Sequence, residues 1–319
     1  MKYFQAELDS ALASEKTGTD SSKGDGLLDM LRRVKVLYTD IDGTVLGKRG
    51  CLLVDGNNQP SANTAQAIVE ANLHPGFEVV PCTGRSVTQL IEISRLFGWD
   101  DFIGEVGAVR SYWHADKGVR ENVYDTPGWS AELQARISEK NTPLNMINAS
   151  GAMDALFAFF PGQIEYHCPW NVNRQATNVL RGRVNTAQAN LLFADFDLPI
   201  TLVENGVIAP SAHTLIESDE PIRAYHLTPT GVTKGMGIRA DLARRGFAKD
   251  EALMIGDGMA DLECGAEVAA VFMVNNSLRS PQMETALAKV PNAYVMEGSQ
   301  GDGWAQLVRA IIASKYTDK

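Results

Sequence analysis

Two apolar runs far apart in the chain constrain its fold more than any other feature, because each is nearly continuous and each closes on carboxylates beside a glycine. The first, Val34-Lys35-Val36-Leu37-Tyr38-Thr39, runs into Asp40-Ile41-Asp42-Gly43-Thr44. The second, Leu253-Met254-Ile255, runs into Gly256-Asp257-Gly258-Met259-Ala260-Asp261. A strand that is apolar on both sides must be covered on both faces, which is the condition of a parallel sheet wrapped in helices. Such sheets carry their ligand sites at the C-terminal ends of the strands. Both acidic turns fall there.

The remaining pattern extends this sheet and then interrupts it. Residues 62–73 have helical spacing after Pro60-Ser61, 78–82 read as a strand, 87–97 as a helix stopped by Gly98, and 101–104 as a third, short strand. Between 112 and 223 the alternation lapses, and 199–209 carry the signal of a hairpin turning at Asn205-Gly206. The first pattern resumes with strands at 224–227, 252–255 and 268–274 and helices at 233–245, near 260–265 and at 304–314. The expected fold is therefore α/β. A doubly wound, mostly parallel sheet is built from 34–111 and 224–319, and 112–223 form an inserted α/β domain. Residues 1–33, polar from Ser14 to Gly26, read as a partly flexible tail.

Asp40 and Asp42 are one residue apart, so on an extended strand they point to the same side and can share a substrate and a cation. Gly43 lets the chain turn away after them. An Asp-x-Asp-Gly segment also opens calcium loops, but these need Glu at the twelfth position, where this chain has Cys51. Asp257 offers a second hard oxygen ligand, and Asp261, one turn further, serves through water or by orienting its neighbours. Thr83-Gly84-Arg85-Ser86 joins a strand to a helix, so its hydroxyls and the first helical amides can hold a phosphate; Ser86 is equally an ordinary N-cap. Lys234 opens a helix, against the local dipole, which points to an anionic partner. In the inserted domain His167 and Arg174 lie in the most polar and aromatic segment, where a surface turn is the plainer reading. Trp113, Trp129 and Trp170 are expected to pack rather than to stack on a ligand.

Composition narrows the function. A net charge of -10 disfavours nucleic acid, which needs clustered Lys and Arg. No apolar run of membrane-spanning length occurs and no signal peptide is visible, so no membrane partner and a cytoplasmic location are expected. The four cysteines form no CxxC pair, so neither a zinc site nor a redox pair is suggested. A homo-oligomer is neither indicated nor ruled out.

In order, Asp40-x-Asp42-Gly43-Thr44, Thr83-Gly84-Arg85, Lys234-Gly235 and Gly256-Asp257-x-x-x-Asp261 resemble the motifs of the haloacid dehalogenase superfamily of phosphohydrolases. The insertion lies where the Cof-like branch, subclass IIB, has its α/β cap. Gly104-Glu105-Val106-Gly107-Ala108 is similar to that branch's Glu-Asn-Gly-Ala segment, with Val106 in place of Asn, and Asn275-Asn276-Ser277 and Asp302-Gly303 also fall where the branch has similar residues. The resemblance implies a magnesium-dependent phosphatase acting on a small phosphorylated metabolite, of the sugar phosphate or glycosyl phosphoglycerate class, with the cap selecting it. Asp40 would be the nucleophile and Asp42 the acid and base. Thr83, Gly84, Arg85, Gly43 and Lys234 would hold the phosphoryl group. Asp40, Asp42 through its carbonyl, Asp257 and Asp261 would serve Mg2+. A hexose phosphomutase and a catalytically weak metabolite-binding protein are the alternatives. The family usually has Asn where this chain has Ala260, and losing one neutral hydrogen bond costs roughly 1 kcal/mol.

Overall fold

The computed structural model describes residues 1–17, 24–208 and 212–316. The chain divides into two compact units, the first formed by Met1–Thr83, Ser94–Asp100 and Lys234–Lys319, the second by Gly84–Ile93 and Asp101–Thr233.

In the first unit the two apolar runs are neighbours in one sheet. β1 (Val36–Thr39) and β2 (Glu78–Pro81) pair in parallel, with Thr39 opposite Pro81. β10 (Ala252–Gly256) lies on the other side of β1, with Thr39 opposite Ile255, and β11 (Ala270–Met273) and β12 (Ala293–Val295) extend the sheet to the order β12-β11-β10-β1-β2. Every residue of β1, β10 and β11 is buried, which explains the absence of polar alternation in their sequences. Helices Gly24–Arg33, Asn63–Leu73 and Gly301–Tyr316 pack together as one group, and Lys234–Arg245 and Met259–Leu262 belong to another.

The N-terminal segment is not a tail over its described part. Helices Phe4–Thr17 and Gly24–Arg33 pack on each other, and Tyr3 forms a parallel bridge to Val295 at the edge of the sheet. Phe4 is fully buried and meets Phe272 edge to face at 5.4 Å. Burying one such ring contributes roughly 1.5–3 kcal/mol, and Ala11 of the same helix and Leu27, Leu28 and Leu31 of the second are buried as well. Residues 18–23, in the centre of the polar stretch, lie outside the described residues.

The second unit holds two antiparallel sheets. β3 (Phe102–Gly104), β4 (Val109–His114) and β5 (Val119–Tyr124) form the first. β6 (Ile164–Tyr166), β7 (Asn178–Gly182), β8 (Ile200–Val207) and β9 (Arg223–Pro229) form the second, in the order β6-β7-β9-β8. Helices Pro143–Ala149, Ala152–Phe159 and Thr186–Phe193 cover a core that includes Trp129, Ile147, Leu156, Leu180 and Tyr225.

Three expectations are corrected here. The strand at 101–104 does not join the parallel sheet but pairs antiparallel with β4. The strand at 224–227, expected in the parallel sheet, is part of β9 and pairs with β7 and β8. Asn205-Gly206 is not a hairpin turn, because β8 runs through it: Glu204 faces Tyr225 and Val207 faces Arg223, so one extra residue is absorbed as a bulge. Residue 209, the far end of the expected hairpin, lies outside the described residues. Among the described residues no helix is long and apolar enough to cross a membrane.

Candidate active site

Three adjacent strand ends of the first unit deliver the acidic and hydroxylic residues. The amide of Asp40 donates to Ile255 O at 2.9 Å and that of Cys82 to Thr39 O at 2.7 Å, so pairing continues one step past the strands and fixes where the side chains emerge. Asp40, buried, follows β1; Asp257, partly buried, follows β10; Thr83, buried, follows β2. Asp42 is exposed. Gly43 has φ +81°, and a Cβ there would lie 2.3 Å from Asp257 Oδ2. The glycine is thus required twice, for its backbone and for the close approach of a carboxylate.

Lys234, at the start of helix Lys234–Arg245, donates to Asp40 Oδ1 at 2.8 Å and to Asp261 Oδ1 at 2.7 Å. The anionic partners that its unfavourable helix position called for are therefore two carboxylates of the chain itself. Asp261 Oδ2 accepts from the amides of Asp257 at 3.1 Å and Gly258 at 2.9 Å, so both of its oxygens are engaged. One oxygen from each of Asp40, Asp257 and Asp261 lies within 4.8 Å of the others.

This crowding sets the electrostatics. Burial, then the charges of Asp261 and Asp42, push Asp40 up to about 6 against the opposing pull of Lys234. Burial, with Asp40 and Asp261, raises Asp257 well above the usual carboxylate range. Burial alone would lower Lys234, but Asp261 and Asp40 raise it well above its ordinary value, so it stays an ammonium. Three carboxylates thus surround one ammonium, and the excess negative charge is what a small dication with hard oxygen ligands would offset. The donor set fits magnesium: Asp40, Asp257 and the carbonyl of Asp42 are available types of ligand, whereas Asp261 is committed to Lys234 and two amides.

The other candidates sort differently. Gly84, Arg85, His167 and Arg174 belong to the second unit. Ser86 is an N-cap, its amide and hydroxyl meeting Gln89 Oε1 at 2.9 and 3.1 Å. Arg174 is not on a surface turn. It is buried, donates to Gly84 O at 2.9 Å and to Thr177 O and Oγ1, and lies 3.6 Å from Glu105, which is itself buried. His167 is half-buried, and burial, followed by the charge of Arg181, lowers its pKa. Trp129 packs in the core and donates to Pro199 O, but Trp113 and Trp170 are exposed, so packing describes only one of the three.

Two residues at the acidic cluster carried no assigned role in sequence. Asn276 donates to Gly43 O at 3.0 Å and to Asp257 Oδ2 at 3.3 Å, and Gln300 donates its amide to Asn276 Oδ1 at 2.7 Å. Asn276 is singled out in sequence only as part of Asn275-Asn276-Ser277, with no role attached, and Gln300 carries no signal.

Comparison with protein-family models and with curated proteins gave no match. Solved structures resemble the chain over most of its length. The sucrose-phosphatase from Synechocystis sp. PCC6803, in complex with sucrose and phosphate, is 14% identical with a TM-score of 0.56, covering 88% of this chain and 98% of that one. A sugar phosphatase of haloacid dehalogenase subclass IIB is 16% identical with a TM-score of 0.51, covering 86% and 98%. A haloacid dehalogenase-like hydrolase from Bacteroides thetaiotaomicron is 13% identical with a TM-score of 0.51, covering 87% and 99%. With its five-stranded parallel sheet and its separate antiparallel unit, the chain has the haloacid dehalogenase-like α/β fold.

Proposed function

We propose that the chain is a magnesium-dependent phosphatase that hydrolyses a small phosphorylated metabolite through a phosphoryl group carried on Asp40. The observation that supports this most is Lys234 bridging Asp40 and Asp261, with Asp257 beside them, at the ends of β1 and β10. In the first step an oxygen of Asp40 attacks phosphorus, the bond to the leaving oxygen breaks, and Asp42 protonates that oxygen. In the second, water attacks phosphorus and gives its proton to Asp42, the bond to Asp40 breaks, and inorganic phosphate leaves. Lys234 holds Asp40 in place and offsets charge on the phosphoryl oxygens, to which the Thr83 hydroxyl can donate. Magnesium held by Asp40, Asp257 and the Asp42 carbonyl would add Lewis-acid stabilisation of the same oxygens. Asp261 then serves by fixing Lys234 and the Asp257 backbone.

The substrate class is assigned to sugar phosphates, a reading that two structural neighbours named sucrose-phosphatase and sugar phosphatase support, with glycosyl phosphoglycerates resting on the sequence resemblance alone. Substrate selection is assigned to the second unit. The test is turnover of an aryl phosphate and of a panel of phosphorylated sugars with and without Mg2+. EDTA is expected to remove activity and Mg2+ to restore it, and D40N is expected to lose at least ~10^4-fold in kcat. Labelled phosphate trapped on D40N, or full activity in excess EDTA, would refute the assignment.

A further inference from the structure

Resting on the metal reading above, we infer that Asn276, just past β11, is a positioning residue for the proposed metal-binding carboxylate Asp257. Asn276 follows β11 directly after Val274 and Asn275, so it stands at the end of the strand next to β10. Its carboxamide joins three loops. Nδ2 donates to Gly43 O in the turn after β1 and to Asp257 Oδ2 in the turn after β10, and Oδ1 accepts the amide of Gln300 ahead of helix Gly301–Tyr316. The backbone partners fix which way the amide points, since a carbonyl can only accept and an N–H can only donate. Gln300 has φ +51°, an uncommon conformation for a non-glycine residue, so the loop holds a strained backbone where its N–H meets Asn276.

The consequence is orientation. Gly43 leaves no room for a Cβ beside Asp257, and Asn276 ties Gly43 to the same carboxylate oxygen that approaches it. Asp257 is therefore held from two sides, with an N–H on Oδ2, while Asp40 and Asp261 press negative charge toward it. Groups that hydrogen-bond to metal ligands in this way commonly contribute 10–100-fold in metal affinity.

The test titrates Mg2+ into metal-free wild type, N276A, N276L and D257A by calorimetry, with kcat at saturating Mg2+ and the metal-free melting temperature measured in parallel. N276A and N276L are expected to bind Mg2+ 10–100-fold more weakly and to recover kcat within about threefold when Mg2+ saturates. A merely structural role would lower the metal-free melting temperature and kcat while leaving Mg2+ affinity unchanged. Mg2+ binding within about twofold of wild type in either folded variant overturns the inference, and so does failure of both variants to fold. Unchanged Mg2+ binding in D257A would instead overturn the metal reading itself.

Discussion

The two units each bury an ion pair, and the pairs differ in how completely they are satisfied. In the second unit Glu105 accepts from the amides of Gln175, Ala176 and Thr177 at 2.8, 3.0 and 2.8 Å and from the Thr177 hydroxyl at 3.0 Å, with Arg174 behind it. One cation meets one carboxylate there, and the carboxylate is saturated. In the first unit one lysine faces three carboxylates, and two of them, Asp40 and Asp257, are raised in pKa by burial and then by the neighbouring carboxylates. A saturated pair holds a loop in place. An unsaturated cluster leaves like charges buried against one another, at a cost in stability to the chain alone.

The comparison breaks most directly at Arg174. Removing one member of a buried pair leaves the other without compensation and costs about 3–5 kcal/mol, so R174M should lower the urea midpoint by a corresponding amount. A loss below about 1 kcal/mol would mean that the amides alone satisfy Glu105. The opposite sign is expected in the first unit. Neutralising Asp257 relieves repulsion among Asp40, Asp257 and Asp261 and keeps an acceptor for Asn276, so D257N should stabilise the metal-free protein by roughly 0.5–2 kcal/mol in urea melts with EDTA. Added Mg2+ should reverse the order, because only wild type gains full binding energy from the ion. A D257N protein less stable than wild type in EDTA would show that the cluster is balanced after all.

Legibility in the sequence followed the same division. That Asp40, Asp257, Asp261 and Lys234 would gather at strand ends could be read because continuous apolar strands and a lysine placed against its helix dipole are local signals with local causes. Arg174 could not, since its burial depends on Glu105, Thr177 and Gly84, contributed by three separate segments. The hairpin expected at Asn205-Gly206 failed because pairing with β9 on one side outweighed the local turn preference. Phe4 and Leu31, on either side of the polar stretch, read as parts of a partly flexible tail because only their tertiary neighbours reveal them as core. Asn276 stood out in sequence only as part of the resembling segment Asn275-Asn276-Ser277, and its role stayed hidden because a single amide after a strand has no pattern to repeat.

The smallest effect is expected where the saturated pair meets strained backbone. Glu105 and Val106 have φ +52° and +58°, and a β-branched side chain is poorly tolerated in that left-handed region. The turn is held by Arg85 O, which accepts the Glu105 amide at 2.9 Å, and by the four donors on the Glu105 carboxylate. Asn adopts the left-handed conformation more readily, so V106N should stabilise the protein by about 1 kcal/mol, read as a higher urea midpoint at unchanged slope. In an R174M background the gain should grow, because with the clamp weakened the turn's own preference decides more of its conformation. An equal gain in both backgrounds would show that the strain at Val106 is borne independently of the Glu105–Arg174 pair.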